Sequence, residues 1–374
     1  MSEWKKVKLG DCTIIKTGKL DSNAAVDNGL YPFFTCDPNT LRINEWAYDT
    51  EAILLAGNNA SGNYTAKYYN GKFNAYQRTY IIESKDSNAL SVKFLAYAMN
   101  LQLRLLKVMS SGSTTKFITM KMLTGLDIPM PCIEVQQRIA TILSRYDSLI
   151  ENYQKQIKLL EESAQRLYKE WFIDLRFPGH ENTMIVDGVP EGWEKKKLMD
   201  IADVVMGQSP KSEFYNSEKK GLPFHQGVGS YGFRFVDDNV YSSSLTRIAE
   251  PNSILFSVRA PVGRLNFTKN KIVIGRGLAA MNHKNGSQSY LFYLLKERFF
   301  KDDIIGNGAI FASISKDELL NQIFIVPNDK LVSQFDSIVN KMDNSIQSID
   351  TQIRLLTEAR DRLLPKLMSG EIEV

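Results

Sequence analysis

The stretch RYDSLIENYQKQIKLLEESAQRLYKE (145–170) is answered 196 residues later by KMDNSIQSIDTQIRLLTEARDRLLPK (341–366). At the centre of each, Gln156-Ile157-Lys158-Leu159-Leu160 lies over Gln352-Ile353-Arg354-Leu355-Leu356. In the first copy Ile142, Tyr146, Leu149, Tyr153, Ile157, Leu160, Ala164, Leu167 and Trp171 fall at steps of three and four. Ile338, Met342, Ile346, Ile349, Ile353, Leu356 and Leu363 draw a similar stripe in the second. This spacing predicts two long helices with coiled-coil seams, over 134–172 and 329–368. The first would be roughly 58 Å long at about 1.5 Å per residue. A lone helix with such a stripe does not stay exposed, and two copies in one chain most simply pack on each other.

The duplication extends outward from the helices. WKKVKLGDCTIIKTG (4–18) resembles WEKKKLMDIADVVMG (193–207), with Trp4 over Trp193, Leu9 over Leu198, Asp11 over Asp200 and Gly18 over Gly207. AILLAGNNASGN (52–63) answers SILFSVRAPVGR (253–264), and GSTTKFITMKMLTGLDIPMP (112–131) answers GAIFASISKDELLNQIFIVP (308–327). EAILLAG, RTYIIES, NSILFSV and KIVIGRG are short β-rich runs among Gly, Asn and Ser turns. Two short helices are expected to follow in each block, near SVKFLAYAMN and SYLFYLLKERFF. The reading is α+β: a block over 1–133, a helix over 134–175, a linker over 176–192, a second block over 193–328 and a closing helix over 329–374. Pro178, Gly179, Gly188, Pro190 and Gly192 mark the linker.

Charge follows the same division. Residues 1–133 carry 15 Lys and Arg against 11 Asp and Glu, and 193–328 carry 18 against 13. The intervening 134–192 has 7 against 10, and 329–374 has 6 against 8. Two basic blocks suit a polyanion, although excesses of this size also suit a solvated surface. Cys12, Cys36 and Cys132 form no C-x-x-C pair, and His180, His225 and His283 are far apart. That pattern fits a reducing cytoplasm and argues against a disulfide framework or a histidine metal site. No apolar run approaches a membrane span.

Catalytic motifs fail on context. Gly227, Gly229 and Gly232 spell G-x-G-x-x-G in QGVGSYGF (226–233), but FRFVDDNVYSSS follows, which reads as strand and turn and not as a phosphate-binding helix. Gly18-Lys19 and Gly71-Lys72 lack the hydroxyl residue of a Walker A loop, and no Pro-Pro occurs, DPNT (37–40) being the nearest approach to an amino-methyltransferase motif. Glu83 and Lys85 form a Glu-x-Lys after a strand, without the preceding Pro-Asp of a nuclease. The chain reads as non-catalytic.

This organisation resembles the specificity (S) subunit of type I restriction–modification systems over essentially the whole chain. The resemblance rests on a twice-used W-x-x-x-x-L opening, the endings IPMPCIEVQQRIATIL and FIVPNDKLVSQFDSIV, and the closing RLLPKLMSGEIEV. The second copy departs from the first in having Leu331-Val332-Ser333-Gln334 where the first has Glu134-Val135-Gln136-Gln137. The resemblance implies two target-recognition domains, each reading half of a bipartite site in double-stranded DNA. It implies antiparallel helices that space them and dock two modification (methyltransferase) subunits, with restriction subunits joining the full complex. S-adenosylmethionine, Mg²⁺ and ATP would belong to those partners. Half-sites would lie about one turn, ~34 Å, apart. A coiled-coil scaffold that binds only proteins is the alternative.

Base reading needs amide or forked side chains beside loops that can enter the major groove. The candidates are Asn58, Asn59, Asn63, Arg78 and Lys116 in the first block. In the second they are Gln208, Gln226, Tyr231, Arg259, Arg264 and Arg276. Arg78 and Arg276 are read as equivalent and as braces of the fold. Asn58-Asn59 against Val258-Arg259 differ between the blocks and are the better readers. Tyr231 is expected to touch a base or sugar.

Overall fold

The computed structural model describes residues 4–58, 64–109, 117–299 and 313–374. The chain divides into two compact units, Met1–Gln154 with Thr351–Val374, and Lys155–Asp350. The division falls inside both long helices and not at residues 133 and 328, where the composition changes. Each half-helix buries its stripe against its own unit, so the helices belong to both cores.

In the first unit a ribbon pairs Lys6–Lys8 with Asp127–Pro129. Beside it stands a six-stranded sheet in the order Thr13–Thr17, Thr79–Ser84, Tyr48–Ala56, Ala66–Ala75, Tyr31–Phe34, Leu41–Ile43. Within EAILLAG the residues Ala52–Leu55 are all apolar because this part of the strand is buried on both faces. Ile53 and Leu55 join a core with Phe94, Leu95 and Met99 of the helix Val92–Met109, while Ala52 and Leu54 pack with Phe34, Phe73 and Ile81. The first core also takes in Ile139, Ala140 and Leu143 of one long helix and Leu364, Leu367 and Met368 of the other.

The second unit repeats this wiring. Glu194–Lys197 pairs with Ile323–Val326, and a four-stranded sheet runs Ala202–Met206, Leu278–His283, Ile254–Ser257, Leu265–Phe267. The parallel pairing of Tyr31–Phe34 with Ala66–Ala75 is answered by Leu222–His225 beside Ile272–Ile274. One difference is instructive. The ten-residue strand Ala66–Ala75 corresponds to two pieces, Leu265–Phe267 and Ile272–Ile274, so the second unit has two smaller sheets where the first has one. The segment 176–192 is more ordered than a linker: Ile185–Val186 and Val189–Pro190 form a hairpin about Asp187 and Gly188, whose φ values of 51° and 76° are those of a type I′ turn.

The long helices are Ile133–Tyr168, 36 residues and about 54 Å, and Asp329–Ser369, 41 residues. The first passes into a π-helical turn at Lys169–Ile173 that seats Trp171 and Phe172. Its buried line is Leu143, Ile150, Ile157, Ala164 and Trp171, at steps of seven. In the second helix Val332, Val339, Ile346 and Leu367 keep the same step. Of the expected seam, Ile157 and Ile346 are buried. Tyr146, Tyr153, Leu160, Leu167, Met342, Ile349, Ile353, Leu356 and Leu363 are half-buried along its margin. Leu149 is a correction: it is 38% exposed, because its neighbour Ile150 takes the inward position and one residue turns the side chain about 100° away.

In each unit the two helix segments run antiparallel. In the first, Arg360 meets Asp147 at 2.6 Å, while Leu143 shares a core with Leu364 and Leu367. In the second, Phe335 packs edge-on against Tyr168, Trp171 and Phe172.

Candidate nucleic-acid interface

The same backbone hydrogen-bond ladder recurs inside each unit and shows which residues of the repeat correspond. The Ile118 N–H donates to the Gly57 carbonyl and the Gly57 N–H to that of Arg78, at 2.8 and 2.7 Å. In the second unit Ile314 donates to Val258 and Val258 to Gly277, at 3.0 and 2.9 Å. Asn58 bridges Phe117 just as Arg259 bridges Ser313. Asn58 and Arg259 therefore occupy one position of the repeat. By the same ladder Arg78 answers Gly277, and Arg276 falls opposite Gln77. The expected equivalence of the two arginines is corrected by one residue, since the loop ahead of each strand differs. Both arginines are exposed.

At this sheet end the structure brings several candidates together. In the first unit the Cys36 thiol donates to Asn58 Oδ1 and, at 3.9 Å, faces the Arg78 carbonyl. A cavity of about 910 Å³ opens beside them, lined by Thr35, Cys36, Asp37, Asn58, Lys67 and Tyr76 among others. Burial lowers the Lys67 pKa against the opposing pull of Asp37, and its ammonium donates to the Pro38 carbonyl at 2.6 Å. In the second unit the Ser209 hydroxyl donates to Gln226 Oε1 at 2.8 Å and accepts from the Arg276 N–H at 3.2 Å. The Gln208 N–H donates to the Ile274 carbonyl, and its own carbonyl accepts from Thr246. Gln208, Gln226, Arg259 and Arg276 are all exposed there. Asn59, Asn63 and Lys116 lie outside the described residues.

The loop QGVGSYGF follows the strand Leu222–His225, as TCDPNT follows Tyr31–Phe34. The Gly275 N–H donates to the His225 carbonyl where the Tyr76 N–H donates to that of Phe34. Val228–Ser230 is one 3₁₀ turn, with no helix behind it to receive a phosphate. Only the last glycine is sterically required, since a Cβ on Gly232 would stand 2.5 Å from the Phe235 carbonyl oxygen, whereas Gly227 and Gly229 face open space. His225 props the loop from beneath: one ring nitrogen lies 2.8 Å from Ser230 Oγ and the other 3.0 Å from Asp238 Oδ1. Burial pushes the Asp238 pKa up, but hydrogen bonds from His225 and Asn270 outweigh it and hold the carboxyl below its usual range.

Tyr231 departs from expectation. Its ring packs toward Val236, its phenolic oxygen is buried without a hydrogen-bond partner, and burial drives its pKa far up. It serves the fold of the loop, and the exposed aromatic of that stretch is Phe233, 67% accessible. Arg264 is half-buried, and its backbone N–H donates to Ser257 Oγ at 2.8 Å, closing the turn that follows the strand Ile254–Ser257. The Glu-x-Lys pair is likewise used by the fold: Glu83 binds Lys16 at 2.9 Å, and Lys85 donates to the carbonyls of Gly10 and Asp11.

The loop's anchor is Arg234, which the sequence reading passed over. Its side chain is 2% exposed and binds Glu161 of one long helix at 3.2 Å and Asp343 of the other at 2.6 Å. The guanidinium lies 3.8 Å from the Phe292 ring centroid and 4.8 Å from that of Phe267. Burial raises the Glu161 pKa even though Arg234 opposes it. Asp343 also accepts from Ser289 at 2.6 Å. Asp147, its counterpart 196 residues earlier, accepts from Tyr97 and from Arg360. In each unit, then, a helix aspartate ties the block to the helices.

Among the described residues, no group of three or more His, Cys, Asp or Glu could hold a metal ion. No described helix is long and apolar enough to cross a membrane.

Residues 1–162 and 190–357 match the type I restriction modification DNA specificity domain family. The chain is 31% identical over 263 residues to the putative type I restriction enzyme MjaX specificity subunit of Methanocaldococcus jannaschii, covering 69% of this chain and 62% of that protein. It is 31% identical over 285 residues to the MjaIX specificity subunit of the same organism, covering 72% and 66%. Both matches span just under two thirds of the relative's length. In fold it resembles the crystal structure of a type I restriction–modification S subunit from M. genitalium, with a TM-score of 0.61, 20% identity, and 97% of this chain and 96% of that one covered. With both repeats matched, the chain belongs to the family of type I restriction–modification DNA specificity subunits.

Proposed function

We propose that this chain is the non-catalytic reader of a type I restriction–modification complex. Each repeated block binds one half of a bipartite target in double-stranded DNA, and the long helices dock two methyltransferase subunits. S-adenosylmethionine, Mg²⁺ and ATP are assigned to partner subunits, restriction subunits among them, and the complex works in the cytoplasm. The observation that carries this reading is a shared scaffold ending in different side chains. The same hydrogen-bond ladder presents Asn58 in one unit and Arg259 in the other. Phosphate contacts position a protein on DNA and base contacts specify, so two halves with one frame and two sets of polar side chains suit two different half-sites.

Filter binding of duplex DNA over a range of salt tests this. The complex with methyltransferase subunits should bind far more tightly than the chain alone, and log K should fall steeply and linearly with log salt. Binding of the subunits with no salt-dependent DNA affinity would leave a protein scaffold instead.

A further inference from the structure

Resting on that reading, we propose that the position shared by Asn58 and Arg259 discriminates one base pair in each half-site. Asn58 would read an adenine and Arg259 a guanine, both in the major groove. Neither residue's partner follows from the family match.

One backbone frame is common to both units. At both sheet ends the backbone pairs the residue before this position with the strand beside it, and the position itself bridges a residue just ahead of a short helix. Features common to both units cannot tell two half-sites apart. Discrimination must come where the backbone coincides and the side chain changes.

The neighbouring loop changes in step. Counting on from the equivalent carbonyls of Phe34 and His225, Cys36 occupies the place of Gly227. In the first unit the Cys36 thiol donates to Asn58 Oδ1 and so fixes which way the amide faces. That oxygen keeps a second lone pair, and the amide nitrogen keeps its donors. An oriented amide can accept from adenine N6 and donate to N7. In the second unit Gly227 offers no side chain, and a Cβ there would meet nothing within 4 Å. Arg259, a longer side chain than Asn58, is exposed. Its forked donors match guanine O6 and N7. A short amide held by a thiol and a long exposed arginine are two solutions on one frame.

The cavity beside Asn58 makes the prediction asymmetric. Asp37 and Lys67 line it, so the first unit can present both an acceptor and a donor around the adenine contact.

The test uses the assembled complex with its methyltransferase subunits and a library of duplexes randomised through the target, sequencing the bound fraction. Asn58→Ala should lower discrimination at a single A·T pair of one half-site by about 5- to 150-fold, the range expected for one bidentate contact. Arg259→Ala should do the same at a single G·C pair of the other half. Asn58→Asp, which keeps the shape and turns the donor into an acceptor, should move the preference at that pair toward cytosine. Unchanged preferences in both variants, or changes in the same half, would overturn the assignment while leaving the DNA-reading function in place. A parental complex without sequence preference would overturn both.

Discussion

Replacing Arg234 by methionine tests how the second unit is held to the helices. Methionine keeps much of the aliphatic contact with Phe267 and Phe292 but leaves Glu161 and Asp343, 18% and 17% exposed, without their shared cation. Removing one partner of a buried ion pair costs about 3–5 kcal/mol, because an uncompensated charge remains. Here two carboxylates lose the same partner, so the upper part of that range is expected. Hydrogen exchange in increasing urea can read the loss region by region, with peptides spanning Tyr290–Leu295 reporting on the second unit and those spanning Phe94–Met99 on the first. The second unit should lose about 4–5 kcal/mol and the first almost nothing. Adding Glu161→Gln and Asp343→Asn should restore at least half, since no unpaired charge is then buried and the Ser289 bond can persist. The pH response has a definite sign. Glu161 already titrates above its ordinary range, and without Arg234 it moves higher. The folded state then binds a proton that the unfolded state releases, so the single variant should regain stability as pH falls from 7 toward 5, by at most about 1.4 kcal/mol per unit. A loss under about 1 kcal/mol, a triple variant no better than the single one, or further weakening toward pH 5 would refute the reasoning.

Alkali should act first on the second unit. Burial raises the pKa values of Tyr168, Tyr231, Tyr290 and Tyr293, and each folded phenol keeps a proton that the unfolded chain releases above pH 10. Stability present below pH 10 is then lost at up to roughly 5 kcal/mol per pH unit, so phenolate absorbance should rise together with unfolding. A gradual rise centred on pH 10 without unfolding would contradict this. In the first unit Tyr97 adds to the same trend, and Tyr68 is pushed up to about 12 by burial and its bond to Glu51. A fragment of residues 1–176 lacks Leu364, Leu367 and Met368 from the first core and exposes the line Leu143, Ile150, Ile157. It should pair with a second copy, whose residues 155–176 replace 351–372, and mark a palindrome of one half-site. A fragment that sediments as a monomer at high concentration would count against the antiparallel arrangement.

The long helices and the duplication were legible because a period near 3.5 sustained over about eight turns and a shift of 196 kept through both helices are collective signals. A single wrong residue, such as Leu149, hardly disturbs them. The β-rich runs were visible for the same reason, although their order in the sheets was not, since the parallel pairing of Tyr31–Phe34 with Ala66–Ala75 leaves no local mark. The site was less legible. Asn58 and Arg259 stood out only as a difference between copies, and the register of Arg78 and Arg276 slipped by one because the loops before them differ. Arg234 carried no signal, since an arginine between two phenylalanines reads as surface until Glu161 and Asp343 are seen to converge on it. Tyr231 misled for the opposite reason: a glycine-rich loop suggests an exposed ring, yet this one folds inward against Val236. The hairpin in the linker could have been read from Asp187-Gly188 between apolar pairs.

Two units of one design should read two different half-sites. Mapping methylated bases across the genome of the host, with and without this gene, tests it most directly. A set of modified sites should vanish with the gene and share two short specified tracts separated by an unspecified gap. An unchanged pattern of methylation, or a single uninterrupted tract, would contradict it.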